Sequence, residues 1–181
     1  HLAGVRAAAE ISGGELRGAE LGSTQVAFTP GAVRAGSYRF AVGSAGSALL
    51  VLQTVLVPLV LADGDSEVVV QGGTHNPLAP PFEFLRDVFL PAARAMGARA
   101  ELQLAETGFA PVGGGEIVAQ IEPATTLNPI EWTGRGELER CGVTVPVRHL
   151  PDSIAERIGR AAAERLRLSG VESGTEPTID R

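Results

Sequence analysis

Between residues 72 and 82 the chain has little conformational freedom. The segment reads Gly72-Gly73-Thr74-His75-Asn76-Pro77-Leu78-Ala79-Pro80-Pro81-Phe82. Each proline fixes its own φ and removes a backbone donor, so the segment holds one shape. Apolar residues at helical spacing begin at Phe82, which makes the segment a stiff entry into a helix. It also sets two polar side chains, His75 and Asn76, beside an apolar ledge at the helix mouth, and small-molecule pockets are built that way. The residues alone equally allow a plain strand-to-helix connector, because polar residues followed by proline commonly punctuate loops.

The rest of the chain organises around that link. His1 to Ile11 reads as a helix stopped by Ser12-Gly13-Gly14. Thr24 to Thr29 and Ser37 to Val42 alternate as strands, an apolar helix follows from about Ala45, and Glu67 to Gln71 is a short apolar strand. Phe82 to Met96 has helical spacing, with Phe82, Leu85, Phe89 and Ala93 on one face, and Gly97 ends it. Ala98 to Ala105 and Glu116 to Ile121 alternate as partner strands joined through Gly113-Gly114-Gly115. A helix followed by two strands thus recurs over residues 1–42 and 82–122. Half-buried strands need a cover and helices supply it, so the expected fold class is α+β, with helices on one face of each sheet. A further strand pair is expected from Ile130 to Cys141, turning at Gly134-Arg135-Gly136. Pro151-Asp152-Ser153 then starts a helix with Ser153 and Glu156 at capping-box spacing, and Arg157, Arg160, Arg165 and Arg167 form a solvated face. Ser169 to Arg181 reads as a linker or frayed end. Both ends look cut, so a piece of a longer protein is expected.

Composition narrows the chemistry. The basic residues are all arginine. Without lysine there is no P-loop and no lysine nucleophile for an adenylate or a Schiff base. A net charge of −6 makes the chain a poor general binder of polyanions, so any nucleic-acid contact is local. Cys141 is the single cysteine, which excludes an intrachain disulfide and a cysteine zinc site and fits a reducing cytoplasm. The opening residues show no basic stretch followed by an apolar run, so no signal peptide is expected there. The run from Ala45 to Ala62 contains Gly46, Ser47, Gln53, Thr54 and Pro58. A membrane span needs about 20 mostly apolar residues, so a buried helix and no membrane partner are expected.

Six stretches carry a family likeness: His1-Leu2-Ala3-Gly4-Val5, Gly18-Ala19-Glu20-Leu21-Gly22-Ser23, Gly43-Ser44-Ala45-Gly46-Ser47, Leu52-Gln53-Thr54-Val55-Leu56, Gly72 to Phe82, and Gly108-Phe109-Ala110-Pro111-Val112-Gly113-Gly114-Gly115. In them the chain resembles the RNA 3'-terminal phosphate cyclases, with Thr107 standing where that family usually has a basic residue. The resemblance implies repeated βαβαββ units plus a smaller inserted domain. It divides the chain into a repeat domain over 1–144 (partial first repeat 1–42, second repeat 43–123, start of a third 124–144) and the beginning of the insert with a tail over 145–181.

The resemblance also implies a ligase reaction in RNA processing. ATP, accompanied by Mg2+ or another divalent ion, adenylates a histidine. The AMP passes to an RNA 3'-phosphate, and the neighbouring 2'-hydroxyl closes a 2',3'-cyclic phosphate. The family's nucleophilic histidine lies beyond Arg181, so no catalytic residue is assigned among His1, His75 and His149, and the piece alone is expected to be inactive. Two other readings share the fold: a non-catalytic cyclase-like ribosome-assembly protein and an enolpyruvyl-transferase-like enzyme, the latter disfavoured by the absence of lysine.

Site residues follow from residue chemistry and resemblance together. Gln53 sits in a greasy helix, where an unpaired amide costs on the order of 1–3 kcal/mol, so it bonds either neighbouring backbone or, as the resemblance implies, ATP. Pro80 and Phe84 match family positions that pack on adenine, with Pro81 sharing the ledge; ordinary core is the alternative for Phe84. His75 and Asn76 either contact phosphate or ribose, or cap the turn. Arg34 and Arg39 either guide RNA phosphates or are solvated surface. No metal ligands are assigned.

Overall fold

A computed structural model describes residues 1–138 and 141–169, together with the backbone of 178–180. The chain divides into two compact units, residues 1–130 and 131–181.

In the first unit, α1 (Leu2–Ser12) ends at Gly13, which takes the left-handed conformation (φ 58°) that a residue without Cβ adopts freely. An antiparallel pair follows, β1 (Glu15–Arg17) with β2 (Ala27–Thr29). Then come β3 (Ser37–Ala41), α2 (Ala48–Val60) and β4 (Ser66–Gly72). The segment beginning at Phe82 is helical in three pieces: α3 (Phe82–Phe84), a π-helical turn (Leu85–Phe89) and α4 (Leu90–Ala95). The antiparallel strands β5 (Arg99–Glu106) and β6 (Gly115–Glu122) complete the unit. Four strands form one sheet in the order β3-β4-β6-β5, with β3 and β4 parallel and the other pairs antiparallel. From β3 to β6 the element order is therefore βαβαββ, and the α-β-β order of its second half is also that of α1, β1 and β2. β3 pairs with β4 rather than with β2.

Alternation decides what faces the core. Val68 and Val70 on β4 and Ile117, Ala119 and Ile121 on β6 are fully or almost fully buried, together with Leu49, Leu52, Val55, Leu56 and Leu59 of α2. Phe82, Leu85 and Leu90 join the same core. The intervening strand residues Glu67, Gln71, Glu101, Gln103 and Gln120 are exposed, while Val69 sits buried and Val118 half-buried among them. The sheet thus has a helical layer on one face and a more polar, more open second face, as expected for an α+β unit. Among the described residues no helix is long and apolar enough to cross a membrane.

The second unit contains β7 (Thr144–Pro146), α5 (Asp152–Leu168) and β8 (Thr178–Asp180), with β7 and β8 parallel. Three expectations change here. No strand forms among the described residues 130–138, where Trp132 and Leu138 lie exposed; alternation without a surface to cover the apolar side does not make a strand. The α5 N-cap is Pro151, with no side-chain cap bond, so the Ser153–Glu156 spacing does not build a capping box. The segment read as a tail includes β8, while residues 170–177 and 181 lie outside the described residues.

Candidate functional site

Three glycine-rich loops meet at one end of the four-stranded sheet. They are the loop before α2 (Gly43 to Ser47), the exit of β4 (Gly72 to Asn76) and the entry to β6 (Gly108 to Gly115). Backbone bonds tie them together. Gly73 N–H donates to Gly46 O (2.8 Å), Ala48 N–H to Gly73 O (2.9 Å), and both Thr74 N–H (2.8 Å) and His75 N–H (3.1 Å) to Gly108 O. Such closeness requires residues without side chains. A Cβ at Gly108 would strike the Gly115 backbone and Gly72 O (2.6 Å), and one at Gly73 would land on the Asn76 amide and on Ala45 O.

Side chains reinforce the junction. Thr74 is fully buried, and its Oγ1 accepts from Gly108 N–H at 2.9 Å. The His75 side chain is only 9% exposed. Its Nδ1 lies 2.8 Å from Thr74 Oγ1, and Nε2 lies 3.0 and 3.2 Å from the two Glu83 oxygens. A carboxylate only accepts, so Nε2 carries a proton. This bond, opposed by partial burial, holds the Glu83 carboxyl below the usual carboxylate range. The His75 ring also sits 5.3 Å from that of Phe109. Asn76 Nδ2 donates to Ala45 O, and Asn76 Oδ1 is buried without a partner. Both ring nitrogens of His75 and the Asn76 amino group are therefore engaged by their own chain. Neither Thr74 nor Glu83 is singled out by sequence patterning. The available signal was a carboxylate in the first turn of the helix that follows His75 across the proline link.

The ledge residues lie where the segment enters α3. Pro80 is half-buried, Pro81 is exposed and serves as the N-cap, and Phe84 is 40% exposed while its neighbours Phe82 and Leu85 are buried. Gln53 lies on α2 at the margin of the core. Within one or two turns it has buried Leu49, Leu56 and Val60 on one side and exposed Leu50 and Val57 on the other. Gln53 itself is half-buried, and among the described residues its amide has no hydrogen-bond partner. Arg34 is exposed, and Arg39 stands on the open face of the sheet with Nη1 3.1 Å from Glu116 Oε2.

A cleft of about 410 Å³ opens beside the loop junction, lined by glycine backbone and by Ser44, Gln71, Glu106 and Glu116. The Gln71 amide, opposed by slight burial and then aided by Arg39, holds the Glu116 carboxyl below the usual carboxylate range. Gln53, Pro80 and Phe84 do not line it. Among the described residues no group of three or more His, Cys, Asp and Glu could hold a metal ion.

The sequence model of a family described as RNA 3'-terminal phosphate cyclase matches residues 1–175. Curated relatives bearing that name are similar over most of the chain. One from Koribacter versatilis is 47% identical over 184 residues, covering 98% of this chain and 52% of the relative. One from Pseudomonas fluorescens is 49% identical over 168 residues (93% and 49%), and one from Salmonella agona is 47% identical over 157 residues (87% and 46%). The chain spans about half the length of these relatives.

Proposed function

The chain belongs to the RNA 3'-terminal phosphate cyclase family, and from that premise we propose that the whole protein converts an RNA 3'-phosphate to a 2',3'-cyclic phosphate in an ATP-dependent ligase reaction. ATP supplies the AMP that activates the 3'-phosphate through a histidine, and that histidine is none of His1, His75 and His149. The described residues provide nucleotide binding. Gln53 presents a carbonyl and an amino group to the adenine edge, and Pro80 and Phe84 give its face a flat apolar wall, worth roughly 0.5–1.5 kcal/mol for ring packing. Pro81 extends the wall. His75 and Asn76 support it from behind, since their donors already bond to the chain. A divalent ion accompanies the triphosphate and keeps mostly water and phosphate oxygens as ligands. Arg34 is open to an RNA phosphate, whereas Arg39 would first have to leave Glu116. Cytoplasmic placement and the division into repeats and an insert belong to the same proposal.

One observation carries this reading: a half-buried amide with no partner among the described residues, on a helix whose only other polar side chain, Thr54, bonds its own backbone. Its atoms are not sealed from water, so a ligand edge can take the place of water there. In the whole protein, Gln53→Ala is expected to lower transfer of label from α-labelled ATP to the enzyme by about tenfold at subsaturating ATP. Wild-type labelling at low ATP would take Gln53 out of the site.

A further inference from the structure

We infer that His75 is a positioning residue, which staples the first turn of α3, and with it Pro80 and Phe84, to the loop at Gly108. The nucleotide ledge then holds its shape before a nucleotide arrives. The inference deepens the proposed function and rests on it.

His75 and Glu83 stand on either side of the proline link, eight residues apart. The imidazole spans that distance with Nε2 bonded to both carboxylate oxygens at 3.0 and 3.2 Å. Its other nitrogen is wired to the opposite loop. Thr74 Oγ1 lies 2.8 Å from Nδ1, 2.9 Å from Gly108 N and 3.3 Å from Gly108 O. The hydroxyl must accept from the Gly108 amide, and it has one proton to give. With a neutral ring, that proton goes to Nδ1. With a charged ring, Nδ1–H donates to the hydroxyl, whose proton turns to Gly108 O. The chain Gly108–Thr74–His75–Glu83 is unbroken in both cases.

The segment between the anchors needs holding. Leu78, between the anchors, is fully exposed and has φ 64°, a left-handed conformation that is strained for a residue with a Cβ. A leucine stays there only when its surroundings fix it. The fixing points are Asn76, bonded to Ala45 O, on one side and Glu83 on the other. Because both His75 nitrogens face the chain, His75 acts on the ledge through Glu83 rather than by touching a ligand.

The test uses the whole protein with ATP and three variants: His75→Leu, His75→Gln and Glu83→Gln. His75→Leu is expected to raise the KM for ATP in enzyme adenylation about tenfold, with kcat within about twofold, and to speed hydrogen exchange at the amides of residues 84–87. His75→Gln keeps a donor for Glu83 and is expected to recover most of the KM. Glu83→Gln keeps the shape, loses the charge and falls between the two. An unchanged KM beside faster exchange reduces His75 to a structural residue and overturns the inference. Equal losses in His75→Leu and His75→Gln also overturn it, because the hydrogen bond would then be irrelevant. Wild-type protein that fails to bind ATP overturns the functional reading and the ledge role with it; exchange alone would then decide whether the staple exists.

Discussion

At the glycine junction, Thr74, His75, Asn76 and Glu83 crowd into a small buried volume, and each bonds to its own chain. On α2, Gln53 stands at the edge of an apolar row and bonds to nothing described, whereas its polar neighbour Thr54 donates to Leu50 O. Both regions put polar atoms out of full contact with water, where an unmade bond is costly. The junction removes that cost internally, so its polar groups hold shape. At the α2 margin the Gln53 amide is not sealed from water, so its polar group is available to something else. Asn76 Oδ1 is the exception at the junction, and its amide lies flat on Gly73, where no Cβ would fit.

If the junction is a frame, filling its closest approach should do the most damage. Gly108→Ala would push a methyl group into the backbone of Gly115 and Gly72, neither of which can move without breaking the sheet end. The expected loss is about 3 kcal/mol in urea unfolding, since overpacking against main chain lacks the relief that a side chain could give. A loss below about 1 kcal/mol would mean that the three loops yield readily, and the contrast with α2 would fail.

The two regions also differ in how far the sequence revealed them. Alternation in Ser37–Val42, Ala98–Ala105 and Glu116–Ile121 marked three of the four sheet strands, because burial on one face writes itself into every second residue. Gln53 stood out for a similar reason, as a long polar side chain, next to Thr54, in an apolar run. The junction was legible only as stiffness. Glycine and proline announced a tight link, but nothing in Thr74, His75 or Glu83 taken singly says that they bond to one another across eight residues and to a loop thirty-four residues away. The short strand β1 was missed, and the π-helical turn at Leu85–Phe89 was read as continuous helix. Both depend on tertiary packing rather than on local pattern.

The charge in the frame can be tested by pH. Hydrogen bonding from His75 is the largest influence on Glu83 and holds its carboxyl below the ordinary value of 4.5. A carboxylate depressed by folding stabilises the fold above its unfolded value, and that contribution is lost as pH falls through the lower folded value. Glutamine does not titrate. The stability gap between wild type and Glu83→Gln is therefore expected to be full near neutrality, about 1 kcal/mol for this partly exposed pair, and to close as pH falls below 4.5. Thermal unfolding across that range reads the gap. A gap that stays constant with pH would show that the Glu83 charge has no part in the frame.

The smallest expected effect is the most discriminating. Gln53→Leu replaces the spare amide by an apolar side chain of similar size beside Leu49, Leu56 and Val60. If the amide has no structural partner, stability should hold or rise by up to about 0.5 kcal/mol, because removing an unbonded half-buried polar group relieves desolvation. ATP-dependent labelling should fall in the same variant. A residue that improves the fold when lost, yet weakens the reaction, is kept for the ligand. A stability loss above about 1 kcal/mol would instead show that Gln53 serves the fold as Thr74 and His75 do, and the two regions would no longer differ in kind.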